Sequence, residues 1–462
     1  MIAFLSVLPV LSTITALACG ARSLHAALLG AGSAMLAILI AFPIPAESML
    51  PAAVRWTPIL VEVLLIVAGG LFLSEVLREA GAQADLARWI QSWAGQGVGA
   101  VLLVVHGITP FSESLTGFGI GVTIGIPLLA HFDLSARKVA VIGLLGLCAV
   151  PWGSMGPGTL IASTMSRLSF HDLGVMSAVL SLVPFSVTGI AAAWLASPPG
   201  KRKVAVLYGA LSGIAFTIAV TTMNWAFGTA PAGALGALVM ILLHLLRGRH
   251  QGKAPLSKTG RRALGAYTVL LGGVLAAGSV VKVLGLSDNW HYLGSPALWL
   301  FIATLWFARG RPAIQPVQRA MSSWLQVAPV TGLFILLGVL MAVSGMAAYL
   351  AKALSDTGSA YLVAAPFVGA LGGFVTGSNS GANAMFASTQ SEIARSLGVD
   401  VLFFMAVHNV AAAFLLMASP GKIEMAVRLS PAGASSDRRW IQMVVLAVSF
   451  VVVTLLALIN FL

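Results

Sequence analysis

The sequence predicts an all-α polytopic membrane protein: an inverted-topology repeat with two re-entrant helical hairpins and discontinuous helices, in about ten to twelve spans. Three observations predict it. Apolar stretches of about 18 residues or more, each long enough to cross a hydrocarbon core of about 30 Å, recur along the whole chain. Two short segments rich in small polar residues interrupt them at matching places. The basic residues gather in short loops that can all lie on one side of a bilayer.

The apolar content leaves no soluble alternative. Of 462 residues, 58% are hydrophobic and 9% are charged, and mean hydropathy is +0.97, whereas a soluble domain is about a quarter charged. The net charge of +12 does not point to nucleic acid, because the basic residues form no stripe with interleaved aromatics and instead report topology. Cys19 and Cys148 both lie in apolar segments. Two thiols make neither a disulfide framework nor a metal site, so packing is their expected role and no metal or cofactor is expected. The apolar start, MIAFLSVLPVLSTITALACG, has no basic region before it and reads as the first span.

Lys201, Arg202 and Lys203 form one basic loop, and Arg247, Arg249, Lys253, Lys258, Arg261 and Arg262 a second. Arg309, Arg311 and Arg319 form a third, with Arg428, Arg438 and Arg439 before the last span. Two apolar stretches separate the first of these loops from the second, and two more the second from the third, so those three can lie on one side, which the positive-inside rule makes cytoplasmic. The segment LREAGAQADLARWIQSW, with Arg78 and Arg88, reads as a cytoplasmic amphipathic helix at the interface. The span from Trp56 to Leu77 then runs inward, and that from Trp324 to Tyr349 runs outward.

These two spans open two similar halves. The first holds FSESLTGFGIG and then WGSMGPGT; the second holds FVTGSNSGANAMF and then LMASPGKIEM. Phe111 and Phe374 lie 263 positions apart (374 − 111), and so do Pro157 and Pro420 (420 − 157). The organisation that follows is N-terminal spans over 1–55, a first repeat over 56–198 with its hairpin near 106–130, connecting helices and basic loops over 199–319, and a second repeat over 320–462 with its hairpin near 370–395.

At each tip a continuous helix is disfavoured. Gly117, Gly119 and Gly121 each cost about 1 kcal/mol of helix propensity. A half-helix that starts at membrane depth presents free N–H groups and partial positive charge, which suits an anion. Ser112, Ser114, Thr116, Gly117 and Gly119 of the first tip are candidate substrate ligands, as are Thr376, Gly377, Ser378, Asn379 and Asn383 of the second. The alternative is that small residues there simply let helices pack closely. Around Pro157 and Pro420, with Ser419 and Lys422, the chain carries either further discontinuous helices facing the tips or ordinary proline kinks.

An acid or base at membrane depth is costly and therefore a functional candidate. Glu113, inside the first tip, is the candidate proton-coupling residue or else a fixed brace for the tip. His106 stands seven residues earlier, two turns away on one face of a helix, and His408 lies after the second tip beside Asn409. Each is a candidate proton relay or a neutral histidine satisfied by a helix carbonyl. Glu62 lies in an apolar span and is expected to pair with a neighbour. Lys422 either offers a cation to a carboxylate, snorkels to the interface or pairs with Glu424.

At these residues the chain resembles the L-lactate permease family. That family's motif like E-G-x-x-G-F-G-x-P is matched by Glu113, Ser114, Leu115, Thr116, Gly117, Phe118, Gly119, Ile120 and Gly121. Its motif like T-G-S-[DN]-x-x-[SA]-N-x-[LM]-F is followed closely from Thr376 to Phe386, and its S-P-Q in part by Ser419 and Pro420. The resemblance implies proton-coupled transport of lactate, glycolate or related 2-hydroxy acids across a bacterial plasma membrane. It also implies likeness to the wider ion transporter group, whose paired hairpins move as an elevator-like unit. The departures bear on substrate: Ser114 replaces Gly, Gly121 replaces Pro, Asn379 stands where many members have Asp, and Leu416 stands at the family's lysine.

The expected function is therefore secondary active transport of a small organic acid anion with protons, with the bilayer, the anion and the proton as partners and a homodimer left open. Sodium coupling, a different carboxylate specificity and an anion channel are the alternatives. An intramembrane hydrolase would need H-E-x-x-H, G-x-S-x-G or paired aspartates, and none is present.

Overall fold

The structure is a computed structural model that describes residues 1–94, 96–117, 119–247, 255–285, 288–310 and 312–462. Phe118 of the first motif, Arg249 and Lys253 of the second basic loop and Arg311 of the third lie outside the described residues. The described chain is helical and includes eleven helices long and apolar enough to cross a membrane. This is a multi-pass membrane protein.

Helices α1 (Ile2–Ala18) and α2 (Ser23–Ile40) pair through small residues. Ala26, Ala27, Gly30, Ala31, Ala34 and Ala37 form the buried face of α2, and such a stripe lets backbones approach where lipid supplies no hydrophobic drive. The long α3 (Ala46–Glu79) has 34 residues, about 51 Å at 1.5 Å per residue, so its charged last turns project past the hydrocarbon. The amphipathic α4 (Ala82–Ala94) follows. Asp85 on it accepts from Ser257 at 2.7 Å and pairs with Arg88; the Ser257 hydroxyl, then Arg88, hold its carboxyl below the usual range.

The next helix comprises α5 (Val98–Leu103), a π-helical segment Val104–Ile108 and α6 (Thr109–Thr116). It stops at Gly117 and Gly119, with φ of 70° and 85°, a left-handed backbone that favours glycine. The chain then returns as α7 (Ile120–Leu129), ten residues and about 15 Å, half of a hydrocarbon core. Helix α8 (Ala136–Leu145) tightens into a 3-10 segment, Gly146–Met155, breaks, and resumes as α9 (Pro157–Ser166). Ser154, Met155 and Gly156 are all left-handed at this break, with φ of 49°, 65° and 82°. Helices α10 (Phe170–Leu180) and α11 (Leu182–Ala196) continue almost in line.

Four connecting helices follow, α12 (Arg202–Phe227), α13 (Thr229–Arg247), α14 (Lys258–Val283) and α15 (Pro296–Ala308). The remainder repeats the earlier succession: a long helix α16 (Ile314–Val343), a short amphipathic α17 (Met346–Ser355), and a hairpin of α18 (Ala360–Thr376) and α19 (Asn379–Leu397) turning at Gly377. A helix α20 (Val401–Leu415) then ends in a 3-10 turn, Leu416–Ala418, before a ten-residue α21 (Pro420–Leu429) and a final α22 (Arg438–Phe461). The first arm of each hairpin starts earlier in the chain than the sequence suggests, at Val98 and Ala360, because the apolar run ahead of each tip continues as one helix.

Helices α3 and α16 cross the molecule antiparallel. Arg319 near the start of α16 pairs with Glu75 at 3.2 Å and with Glu79 at the end of α3, Trp324 Nε1 donates to Leu64 O at 3.0 Å, and Gly332 sits opposite Leu60. Glu62 finds its expected partner in Ser295, which donates to it at 2.7 Å and caps α15. The two halves interlock: α9 packs along α19, and α21 packs on α7 and α8. The buried Cys148 packs as expected, whereas Cys19 is exposed.

Helices α11 and α12 touch backbone to backbone, since a Cβ on Gly209 would collide with the Gly189 carbonyl and one on Gly189 with that of Gly209. The variant Gly209→Val is expected to lower the melting temperature in detergent by several degrees, as overpacking a tight contact costs about 1–3 kcal/mol. A thermal-unfolding scan of purified protein checks it.

Candidate functional site

Both hairpin turns and both helix breaks reach one cavity of about 310 Å³. Glu113 and Gly117 line it from the first tip, Thr376 to Gly381 from the second, Val150, Gly153, Ser154, Pro157 and Gly158 from the first break, and Leu416 and Lys422 from the second. One face of α16 closes it, with Ser23 at the start of α2.

Glu113 is buried, 5% exposed, yet it is not without partners. Its Oε1 accepts from Gly119 N at 2.9 Å and its Oε2 from Gly121 N at 3.0 Å. The carboxylate therefore caps the start of α7, where free N–H groups and the helix dipole both favour a negative charge. Gly121 permits this, because a Cβ there would lie 3.0 Å from Glu113 Cβ and press on the Thr109 carbonyl. The Lys422 ammonium lies beside Gly119, 2.6 Å from where a Cβ on that residue would stand. Among the described residues no carboxylate is within ion-pair distance of Lys422. Glu424 pairs instead with Arg428 and Arg438, at 2.7 and 3.1 Å.

The second tip is capped without charge. Thr376 Oγ1 accepts from Ser378 N at 3.2 Å, and Ser378 Oγ accepts from Gly381 N at 3.3 Å. Behind it lies a buried amide network. Asn383 Nδ2 donates to Asn379 Oδ1 and to Asn409 Oδ1, both at 2.9 Å. Asn409 Nδ2 in turn reaches Thr159 Oγ1 and Ser177 Oγ, both at 3.1 Å, and Thr159 donates to Pro151 O at 2.7 Å. This network ties α19 and α20 to α9, α10 and the first break. Asn383 Oδ1 is buried with no partner.

Several candidates sit elsewhere. Ser112 lines a separate small apolar pocket under α4, Ser114 Oγ faces Gly233 of α13, and Thr116 donates to Ser112 O at 2.6 Å. Gly119 is turned toward Lys422, while Asn383 and Ser419 stand behind the cavity wall rather than in it. His106 does not share a face with Glu113. His106 lies within the π-helical segment, whose wider turn shifts the helical phase ahead of Glu113, and its buried ring meets Ser212 Oγ of α12 at 2.8 Å and Thr188 Oγ1 of α11 at 3.3 Å. His408 packs against Gly369 with neither ring nitrogen hydrogen-bonded. Neither histidine lines the cavity.

One functional candidate was missed from sequence. Ser154 lines the cavity, is 2% exposed, and its hydroxyl has no partner. A left-handed backbone at a non-glycine residue is strained and clusters at functional sites. The glycines on either side in GSMGPG are the trace of this turn in the sequence.

Residues 290–460, from α15 to the last helix, match the family model for L-lactate permease. An L-lactate permease of Streptococcus iniae is 21% identical over 384 residues, covering 73% of this chain and 79% of the relative. An L-lactate permease of Salmonella typhi is 41% identical over 83 residues, 18% of this chain and 15% of the relative. The glycolate permease of Escherichia coli is 37% identical over a stretch of the same length and shares. These higher-identity matches therefore span well under two thirds of those relatives. The resemblance to the L-lactate permease family stands on the family model and on the alignment that runs through most of the chain, and the relatives are permeases, not enzymes.

The network makes a stability prediction. Asn409→Leu strips partners from Asn379, Asn383, Thr159 and Ser177, and is expected to cost about 1–3 kcal/mol for each buried group left unpaired. Its melting temperature should fall further than that of Gly209→Val.

Proposed function

We propose that the chain is a secondary active transporter of a small organic acid anion, lactate, glycolate or a related 2-hydroxy monocarboxylate, coupled to protons. The observation that carries this reading is the single cavity at which both hairpin tips and both helix breaks meet. In this proposal the two halves form an inverted-topology repeat, 56–198 and 320–462, and the hairpins are re-entrant. The antiparallel crossing of α3 and α16, the recurrence of one element order, and return arms such as α7 that are too short to cross support it. With the basic loops cytoplasmic, α9 and α19 run outward from the bilayer middle and α7 and α21 run inward. Arg137 and Lys138 at the start of α8 then fall on the cytoplasmic side with the other basic residues.

The coupling follows from charge. Ionised Glu113 and Lys422 together give the site no net charge. A substrate anion arriving alone leaves it at −1, and a proton arriving alone leaves it at +1, and either costs several kcal/mol at membrane depth. An anion and a proton loaded together, the proton on Glu113 and the anion near Lys422, return it to zero. Protonation also removes one acceptor from the α7 cap, loosening the first tip only when the site is loaded. The substrate contacts in this reading come from Thr376, Gly377, Ser378 and Asn379 at the second tip, with Gly117 and Lys422.

Glu113→Gln keeps the side chain's shape and removes its charge. It is expected to abolish proton-driven accumulation in proteoliposomes while sparing much of counterflow exchange. Equal loss of both would make Glu113 a brace for the tip. A second reading, sodium coupling, is favoured by the unpartnered Asn383 Oδ1, a neutral oxygen of the kind that binds a hard cation. Uptake that collapses when choline replaces sodium would select it, and linear, pH-insensitive flux would select a channel.

A further inference from the structure

Resting on the transport reading above, we propose that the cavity selects a monocarboxylate with a bulky apolar side chain, such as a branched five- or six-carbon 2-hydroxy acid, over a three-carbon acid. The cavity has two unlike sides. Toward the tips it presents Lys422 and the hydroxyl-capped start of α19. From α16, Val327, Val330 and Phe334 line it at i, i+3 and i+7 on one face, with Thr331 on the same face and Gln326 beside it, spacing that aligns them along a helix. The two 3-10 segments add Val150 and Leu416.

The polar side is matched to one carboxylate. Lys422 is the one cation among the described residues that line the cavity. The positive start of α7 is not open to substrate, because Glu113 accepts from Gly119 N and Gly121 N and the amides of Ile120 and Val122 bond to the carbonyls of Gly117 and Gly119. The start of α19 keeps its positive end, since hydroxyls rather than a carboxylate cap it. A dicarboxylate would place its second charge on a wall where Val330, Phe334 and Leu416 are joined only by the neutral polar groups of Thr331 and Gln326 and, among the described residues, by no second cation, which is disfavoured.

Size points the same way. A space of about 310 Å³ reaches the lower end of the range, about 300–1,000 Å³, that encloses drug-sized ligands. A three-carbon acid anchored at the tips would leave the α16 wall unfilled, and the apolar surface there would contribute nothing to its binding. Leu416, buried in the 3-10 turn before α21, extends the apolar part of the wall.

The test is competition and counterflow with the full-length protein in proteoliposomes, using glycolate, lactate, 2-hydroxybutyrate, 2-hydroxyisocaproate and malate. Affinity is expected to rise about fourfold for each methylene buried against the α16 wall, giving 2-hydroxyisocaproate more than tenfold over lactate, with malate weakest. Leu416→Lys is expected to shrink that ratio and to improve malate; if it does not fold, Val330→Thr reads the same ratio at a less buried position. Lactate bound as well as or better than the longer acids would overturn this inference while leaving the transport reading intact. A ratio unmoved by both variants would overturn it too, and no binding or exchange of any acid would overturn both.

Discussion

Glu113 is held by two backbone amides at the start of α7, and the arrangement of the cavity follows from that contact. A helix that begins inside a bilayer has free N–H groups that lipid cannot satisfy, so the chain must supply their partners or leave them for a ligand. At the first tip the partner is a carboxylate from the preceding arm of the same hairpin. At the second it is a pair of hydroxyls from Thr376 and Ser378. Two tips of similar shape thus differ in charge. Lys422 is set beside the first tip, with no carboxylate within ion-pair distance among the described residues.

The same constraint accounts for the amide network. Helix α9 starts in the interior after three left-handed residues, and Thr159 in its first turn spans from the Pro151 carbonyl to Asn409. Asn409 and Thr159 are 250 positions apart, so the network is also the joint through which one half grips the other. The frame around it is made by α3 and α16, locked at one end by the cluster of Arg319, Glu75 and Glu79. Small residues let this frame approach the first tip and the first break closely: a Cβ on Gly70 of α3 would lie 2.8 Å from both Thr116 O and Ser154 Oγ.

Much of this was legible in the sequence. Apolar length marks the spans, and glycines and prolines mark where those spans break, because both are local properties of a chain that lipid cannot hydrate. The common offset of Phe111 with Phe374 and of Pro157 with Pro420 aligns breaks that the structure brings to one cavity. Glu113 stood out because a carboxylate inside an apolar run is costly wherever it points.

Direction and partnership needed the tertiary structure. Ser112, Ser114 and Thr116 share the tip with Glu113, but their side chains turn away from the cavity. His106 was placed on the wrong face because a single π-helical segment shifts the helical phase without leaving a mark in composition. Ser154 was missed because its role comes from a strained turn rather than from a motif. The sequence by itself determined that this is a membrane-spanning chain with two interrupted halves and an acid at one interruption, since those follow from hydropathy, helix breaking and the cost of buried charge. Which helix ends meet, and which of them keep free positive charge, was decided by contacts between residues hundreds of positions apart, and no local pattern encodes those.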